Sequence, residues 1–383
     1  MGKSQKHLNH KTQIDLGSFY TPEHLVEIAR EILRENVGEL NDYTVLDSSC
    51  GYGSFLNINP KSRTIGADID NVAIDEAKKT TKAEFVECNS LKNVSRKQFN
   101  LSLEEKLVIV GNPPYNDTTS ILRHNIKDRK TTENIDQDIK TRDLGMSFLL
   151  SYDKLSADYV CVLHPLSYLI KKANFALLKN FAKNYKLVDS LVISSHEFSD
   201  TSRGTAFPIV IALYKRDKNG MDYDFIKDYR FKVKDDGTFA LTDFDTIVNY
   251  VQKYPNKKYG GDKNAVAKFY TLRDINALRR NRTFIDSEYN AVYVPLEQLP
   301  YYCYIDVFKN YIDELPFYLG NCDVIIDNDE FKKIRDCFIY ESVNNNPVLR
   351  GKFKFHEVEN AKQKIDEYFN KLIGGEKHAK NYN

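Results

Sequence analysis

Leu107-Val108-Ile109-Val110-Gly111-Asn112-Pro113-Pro114-Tyr115 is an unbroken apolar run that ends on two prolines and an aromatic ring. A run of this length reads as a buried strand. Prolines lack a backbone donor and hold φ nearly fixed, so they stop the strand at once. In an open α/β sheet the carboxyl edge of such a strand is where ligands bind. A stiff turn there presents an amide (Asn112), fixed carbonyls and a ring (Tyr115) together. That set suits a planar group bearing an amino nitrogen, with acceptors for its N–H bonds and a face to stack on. By itself the turn is equally compatible with a solvated asparagine, so the flanking sequence has to decide.

Upstream, Tyr43-Thr44-Val45-Leu46-Asp47 reads as a strand with an acidic end, followed by the turn Ser48-Ser49-Cys50-Gly51-Tyr52-Gly53. Gly51 and Gly53 can take positive φ and admit a ligand close to the backbone. No Lys-Ser/Thr follows them, and Asp47 would repel a phosphate, so a cationic ligand fits better. A second unit, Arg63 to Asp70, ends its strand at Asp68, about twenty residues past the glycine turn, where an acid can take both hydroxyls of a ribose. A polar helix begins near Val72, and a third strand, Glu84-Phe85-Val86-Glu87, leads to Cys88-Asn89-Ser90. Three strand–loop units before the proline-stopped strand predict a doubly wound, mostly parallel sheet with its chemistry on one edge.

With these motifs in this order, the chain resembles the S-adenosylmethionine-dependent DNA adenine-N6 methyltransferases of the gamma class. The resemblance covers residues 17–216. It implies a Rossmann-like methyltransferase fold with a seven-stranded sheet, and S-adenosylmethionine as cofactor. Asn112, Pro113, Pro114 and Tyr115 look like the catalytic motif. Phe19, Tyr20, Thr21 and Pro22 resemble the element lining the cofactor's methionine end, and Asp47, Cys50, Gly51 and Gly53 resemble the methionine loop. Asp68 looks like the ribose ligand, with Ile69 beside it, and Asn89 and Ser90 stand at the adenine end, where the family often has an acid. An amide oxygen at Asn89 can still accept the adenine amino group's bond. Residues 143–148, 159–165 and 195–214 look like the later motifs, among which Phe198 is expected to stack on the target base, with Phe207 as competitor.

At 383 residues the chain suggests two domains, and its formal charge of +1 speaks neither for nor against nucleic acid. The distribution says more. Residues 253–282 hold nine lysines and arginines against Asp262 and Asp274, interleaved with tyrosines. Lys257, Lys258, Lys263, Arg279, Arg280 and Arg282 are therefore the candidate contacts to duplex DNA. Six scattered cysteines with no Cys-x-x-Cys pair, and no His-x-x-x-His, predict neither a metal site nor a disulfide framework. Free thiols and the lack of a long apolar stretch predict a cytoplasmic, nucleoid-associated protein with no membrane partner. A monomer is expected, with any cognate restriction endonuclease a separate chain acting independently.

The resulting map is a flexible basic N-terminus (1–16), a catalytic domain (17–216) with a mobile loop (116–142), and an α+β target-recognition domain (217–383). The charged turn Lys215 to Gly220 marks the boundary. Within the first domain, Pro22 to Glu35 reads as a helix with an apolar stripe, another helix runs from Tyr168 to about Asn184, and strands follow at 187–193 and 207–214. Residues 357–373 read as a last helix, its stripe Val358, Ala361, Ile365, Phe369 and Leu372 packed on its own domain. The same tetrapeptide occurs in methyltransferases acting on glutamine amides of translation factors or on guanine N2 of RNA. The N-terminal Phe-Tyr-Thr-Pro element and the basic second half favour DNA. A non-catalytic, cofactor-sensing DNA-binding protein would need broken motifs.

Overall fold

The structure, a computed structural model of the chain, describes residues 21–115, 134–198, 206–255 and 264–374. The chain divides into two compact units, Met1–Asp236 and Gly237–Asn383.

The first unit is built on strands β1 (Thr44–Asp47), β2 (Thr64–Asp68), β3 (Glu84–Glu87), β4 (Leu107–Gly111), β5 (Tyr159–Pro165), β6 (Tyr185–Ser194), β7 (Pro208–Arg216) and β8 (Phe231–Val233). They lie in the order β3-β2-β1-β4-β5-β7-β6-β8. From β3 through β5 every pairing is parallel. β7 is antiparallel to both neighbours, and β8 is parallel to β6. Every residue of β1 and β4 is buried, which is why β4 reads as a continuous apolar run rather than an alternating one.

Helix α1 (Glu23–Asn36) begins right after Pro22 and buries Leu25, Val26, Ala29, Ile32 and Leu33. That face joins a core with Val45, Val108, Val110, Leu163 and Ile211 from the sheet. Helix α2 (Asn71–Lys78) starts where the Asp70 carboxylate accepts from the Val72 and Ala73 amides. Helix α3 (Leu144–Lys154) is capped by Asp143 and buried from Gly145 through Tyr152. The expected helix from Tyr168 to Asn184 is broken into short pieces because Lys171 takes an extended backbone (φ −90°, ψ 113°). Its last piece is α4 (Lys179–Asn184).

The expected boundary after residue 216 is displaced, and the sheet has nine strands rather than the seven foreseen. The turn at Lys215–Gly220 does not lead out of the unit. Asp217 N donates to Asn184 O (2.8 Å) and Met221 N to Ala182 O (2.7 Å), folding the chain back onto α4. Gly220, at φ +60°, is required there, since a Cβ would lie 2.2 Å from the Ala182 carbonyl oxygen. The returning chain then forms β8 against β6, so residues 217–236 belong to the first unit.

The second unit is α+β. It holds β9 (Thr238–Phe239), an antiparallel pair β10 (Ala265–Tyr270) and β11 (Ala291–Pro295), and helices α5 (Leu299–Phe308), α6 (Asn328–Asn345) and α7 (Ala361–Ile373). The expected stripe of α7 is packed inward at Ala361, Ile365 and Phe369. Phe369 meets the rings of Tyr304, Phe308 and Phe338 from the other two helices. No helix among the described residues is long and apolar enough to cross a membrane. Among them, no group of three His, Cys, Asp or Glu could hold a metal ion.

Candidate active site

Because β1, β2 and β4 are parallel neighbours, their carboxyl ends put Asp47, Asp68 and Asn112 on one edge. The loop after β1 is fixed by its backbone. Cys50 N donates to Ala67 O (2.9 Å), and Gly51 N to the Asp68 carboxylate (2.8 Å). Gly51 and Gly53 take φ of +50° and +81°. Asp47 is buried, and loss of hydration pushes its carboxyl up to about 8, against the opposing pull of the Ser49 amide, with the negative Asp68 adding to the rise. Burial also raises Asp68, although the Asp70 and Gly51 amides bond to it. The Ser49 hydroxyl oxygen is buried with no partner among the described residues.

The other expected cofactor residues divide. Ile69 stands 57% exposed beside Asp68, as an apolar cover requires. The Cys50 thiol is buried under the loop, against the position a Gly66 side chain would take, so only its backbone faces a ligand. Ser90 spends its hydroxyl on Ser48 O (2.6 Å), tying two loops together. Asn89 is more committed than the sequence suggests. Its Oδ1 accepts from Leu91 N (3.0 Å) and its Nδ2 donates to Asn134 O (2.9 Å). A carboxylate would set an acceptor against that carbonyl, which is a physical reason for the amide here. Phe19 and Tyr20 lie outside the described residues.

Residues 116–133 of the expected mobile loop also lie outside them, but its end is docked. Asp136 accepts from Asn93 N (2.9 Å) and Val94 N (3.0 Å), its own amide donates to Leu91 O, and Ile135 and Ile139 are buried.

At the tetrapeptide, Asn112 Nδ2 donates to the buried Thr21 Oγ1 (3.2 Å). Its Oδ1 is buried and has no partner among the described residues, an arrangement that costs stability unless a ligand supplies the donor. Tyr115 is half-buried against the core, and burial raises its phenol. Behind it, Gly145 leaves no room for a side chain, since a Cβ would sit 2.6 Å from Tyr168 Oη and 3.0 Å from Tyr115 Cβ. The Tyr168 hydroxyl donates to the Asp143 carboxylate, and its ring stacks on His164 at 5.3 Å. His164 is fully buried, which lowers it to about 4, so the imidazole is neutral at pH 7 and bonds to Tyr214 Oη (2.7 Å).

Phe198 does not fit its expected role. It is 2% exposed and belongs to the core cluster, whereas Phe207 is only partly buried against the same cluster. Arg279 is likewise committed within its own unit, to the Asp313 carboxylate and Ile312 O. Arg280 and Arg282 are exposed, with no ion-pair partner among the described residues. Lys257, Lys258 and Lys263 lie outside those residues. Sequence reading missed Ser49, Gly111, Gly145 and Tyr168. It also missed Glu197, which joins His24 (2.7 Å) and Lys234 (2.6 Å) across the first unit.

The mostly parallel sheet, with a glycine turn, two acidic strand ends and a proline-stopped asparagine on one edge, is a Rossmann-like arrangement with its candidate site on that edge. Residues 6–181 match the model of a family described as N-6 DNA methylase. The chain is similar to the type II methyltransferase M.CvrRI of Paramecium bursaria Chlorella virus XZ-6E, 28% identical over 134 residues. That alignment covers 34% of this chain and 32% of the viral protein, so the chain spans about a third of that relative's length. Two solved structures show distant likeness. One is a modification subunit assigned to a type I restriction enzyme of Vibrio vulnificus YJ016 (18% identical, 55% of this chain and 48% of that one, TM-score 0.39). The other is the type I restriction-modification methyltransferase subunit of Streptococcus thermophilus (14% identical, 52% and 44%, TM-score 0.34).

The edge suits S-adenosylmethionine on its own chemistry. The buried Asp47 carboxyl and the half-buried Asp68 suit a ligand carrying a sulfonium and an ammonium, and the orphaned Ser49 hydroxyl awaits a polar partner.

Proposed function

We propose that the chain transfers a methyl group from S-adenosylmethionine to N6 of adenine in duplex DNA, as a modification enzyme of the restriction-modification kind. Support comes above all from Asn112 Oδ1, a buried acceptor without a donor, held on a rigid turn beside the cofactor loop. Pro22, Asp47, Ser49, Gly51, Gly53, Asp68, Ile69 and Asn89 would hold the cofactor, which supplies an electrophilic methyl group. The target nitrogen is a weak nucleophile because its lone pair is delocalised into the ring. Asn112 Oδ1 and the Pro113 carbonyl would accept its two N–H bonds, drawing the nitrogen toward tetrahedral geometry and freeing the lone pair. Positioning and acceptance of developing positive charge thus carry the rate. In a duplex the base must first leave the stack, at a cost of a few kcal/mol. Tyr115 would take one face of it, and Phe207 the other in place of Phe198.

The test is transfer of labelled methyl groups to unmodified duplex DNA followed by nucleoside analysis. N6-methyladenine at a fixed motif supports the reading. Label found only in RNA or in a translation factor would keep the fold and cofactor and overturn the substrate.

Two results follow from the charges. Asp47 titrates near 8, and a cation beside it favours the ionised form, so cofactor binding releases a proton below that pH. Affinity should rise with pH up to about 8 and then level, by roughly 25-fold between pH 6.5 and 8.5 when the bound carboxyl is fully ionised. Calorimetry across that range checks it, and a flat profile would show that Asp47 does not face the cation. The second unit is the proposed target-recognition domain, with Arg280 and Arg282 on its DNA face. Changing both to Gln should weaken DNA binding and reduce the slope of log K against log salt by about two. An unchanged slope would move the DNA face elsewhere.

A further inference from the structure

Asn112 can catalyse as proposed only if its amide presents oxygen, not nitrogen, to the target. The torsion that exchanges the two is soft, and the ends are nearly equal in size. Within the tetrapeptide, Pro113 restrains the Asn112 backbone but not its amide torsion, and the Tyr115 hydroxyl also meets the Asn112 side chain. We infer that Thr21 is a positioning residue that sets this orientation. The inference rests on the proposed function and deepens it.

The geometry is direct. Asn112 Nδ2 donates to Thr21 Oγ1 at 3.2 Å, across 91 residues of sequence. Thr21 is 4% exposed. It is held in place because the next residue, Pro22, starts α1, whose Leu25 and Val26 amides bond to Pro22 O (3.0 and 3.3 Å) and whose side chains are buried in the core. With nitrogen engaged on this side, Oδ1 is the end left buried and unpartnered. An amide turned the other way would set its NH2 against the amino group of the target, donor facing donor. The threonine expected from sequence to line the cofactor thus gives its hydroxyl to the catalytic amide.

The experiment compares Thr21→Val, which keeps the shape and removes the acceptor, with Thr21→Ser, which keeps the hydroxyl. Single-turnover methylation of duplex DNA and the cofactor dissociation constant are measured for each full-length chain. The expected result is a single-turnover rate about 100-fold lower in Thr21→Val, the scale of a misplaced reacting group. Its cofactor affinity should stay within about threefold, and Thr21→Ser should recover most of the rate. A Thr21→Val rate within threefold of wild type overturns the positioning role and leaves the function standing. So does an equal loss in both variants, or a loss confined to cofactor affinity. A wild-type chain that methylates no DNA overturns both.

Discussion

Asn112→Ala is expected to lower the methylation rate by about 10²–10³-fold, the scale set by loss of one preorganised polar group at a reacting centre. Its cofactor dissociation constant should stay within about threefold. The two should separate because the proposed partners of the cofactor's charged groups are Asp47 and Asp68, which do not depend on the Asn112 side chain. Folding should also change little. Truncation removes one hydrogen bond, Nδ2 to Thr21 Oγ1, but it also removes a buried oxygen that had no partner. A made bond and an unmade one are each worth about 1 kcal/mol, with opposite signs. Quench-flow on saturated enzyme gives the rate, calorimetry the affinity and a thermal melt the stability. Wild-type methylation by this variant would remove the amide from the mechanism. A matching collapse in cofactor affinity would make Asn112 a binding residue instead.

How much of this site the sequence discloses depends on the range of the interaction. The strand ends at Asp47, Asp68 and Asn112 are legible because apolar runs, glycines and prolines act through local backbone physics. The packed face of α7 is legible for the same reason. What escapes is set by distant partners. Whether Phe198 stacks on a ligand or packs in the core depends on neighbours such as Leu25 and Ile209, which no local pattern reveals. Arg279 looks like a free cation until Asp313, 34 positions on, takes it. Residues 217–236 look like the start of a new domain until their amides fold back onto α4 and β8 joins the sheet. Asn89 departs from the family's usual acid because of a carbonyl at Asn134, a contact that only folding creates.

Gly111→Ala should destabilise the first unit and weaken cofactor binding together. Gly111 closes β4 at φ +141°, a backbone region that L side chains rarely adopt, and a Cβ there would stand 2.7 Å from Asp47 Oδ1 and 3.1 Å from its Cγ. Asp47 has little room to yield, since it is 2% exposed and its Oδ1 accepts from Ser49 N (3.1 Å) at the start of the glycine loop. Strained φ costs about 1–3 kcal/mol and overpacking about 1–3 more. A loss of roughly 2–6 kcal/mol follows, or about 5–20 °C in melting temperature for a unit of this size. Gly38 separates the two terms. It too has positive φ (+85°), yet nothing lies within 4 Å of a Cβ built on it. Gly38→Ala should therefore show backbone strain alone, leave cofactor affinity unchanged, and destabilise by less than Gly111→Ala. The Gly111 variant should in addition weaken cofactor binding by about tenfold or more, because the carboxyl it displaces is the one proposed to meet the cation. Equal melting shifts with equal affinities would mean that Asp47 moves aside freely, and that the tight seam between the cofactor loop and the catalytic strand is not what holds the site together.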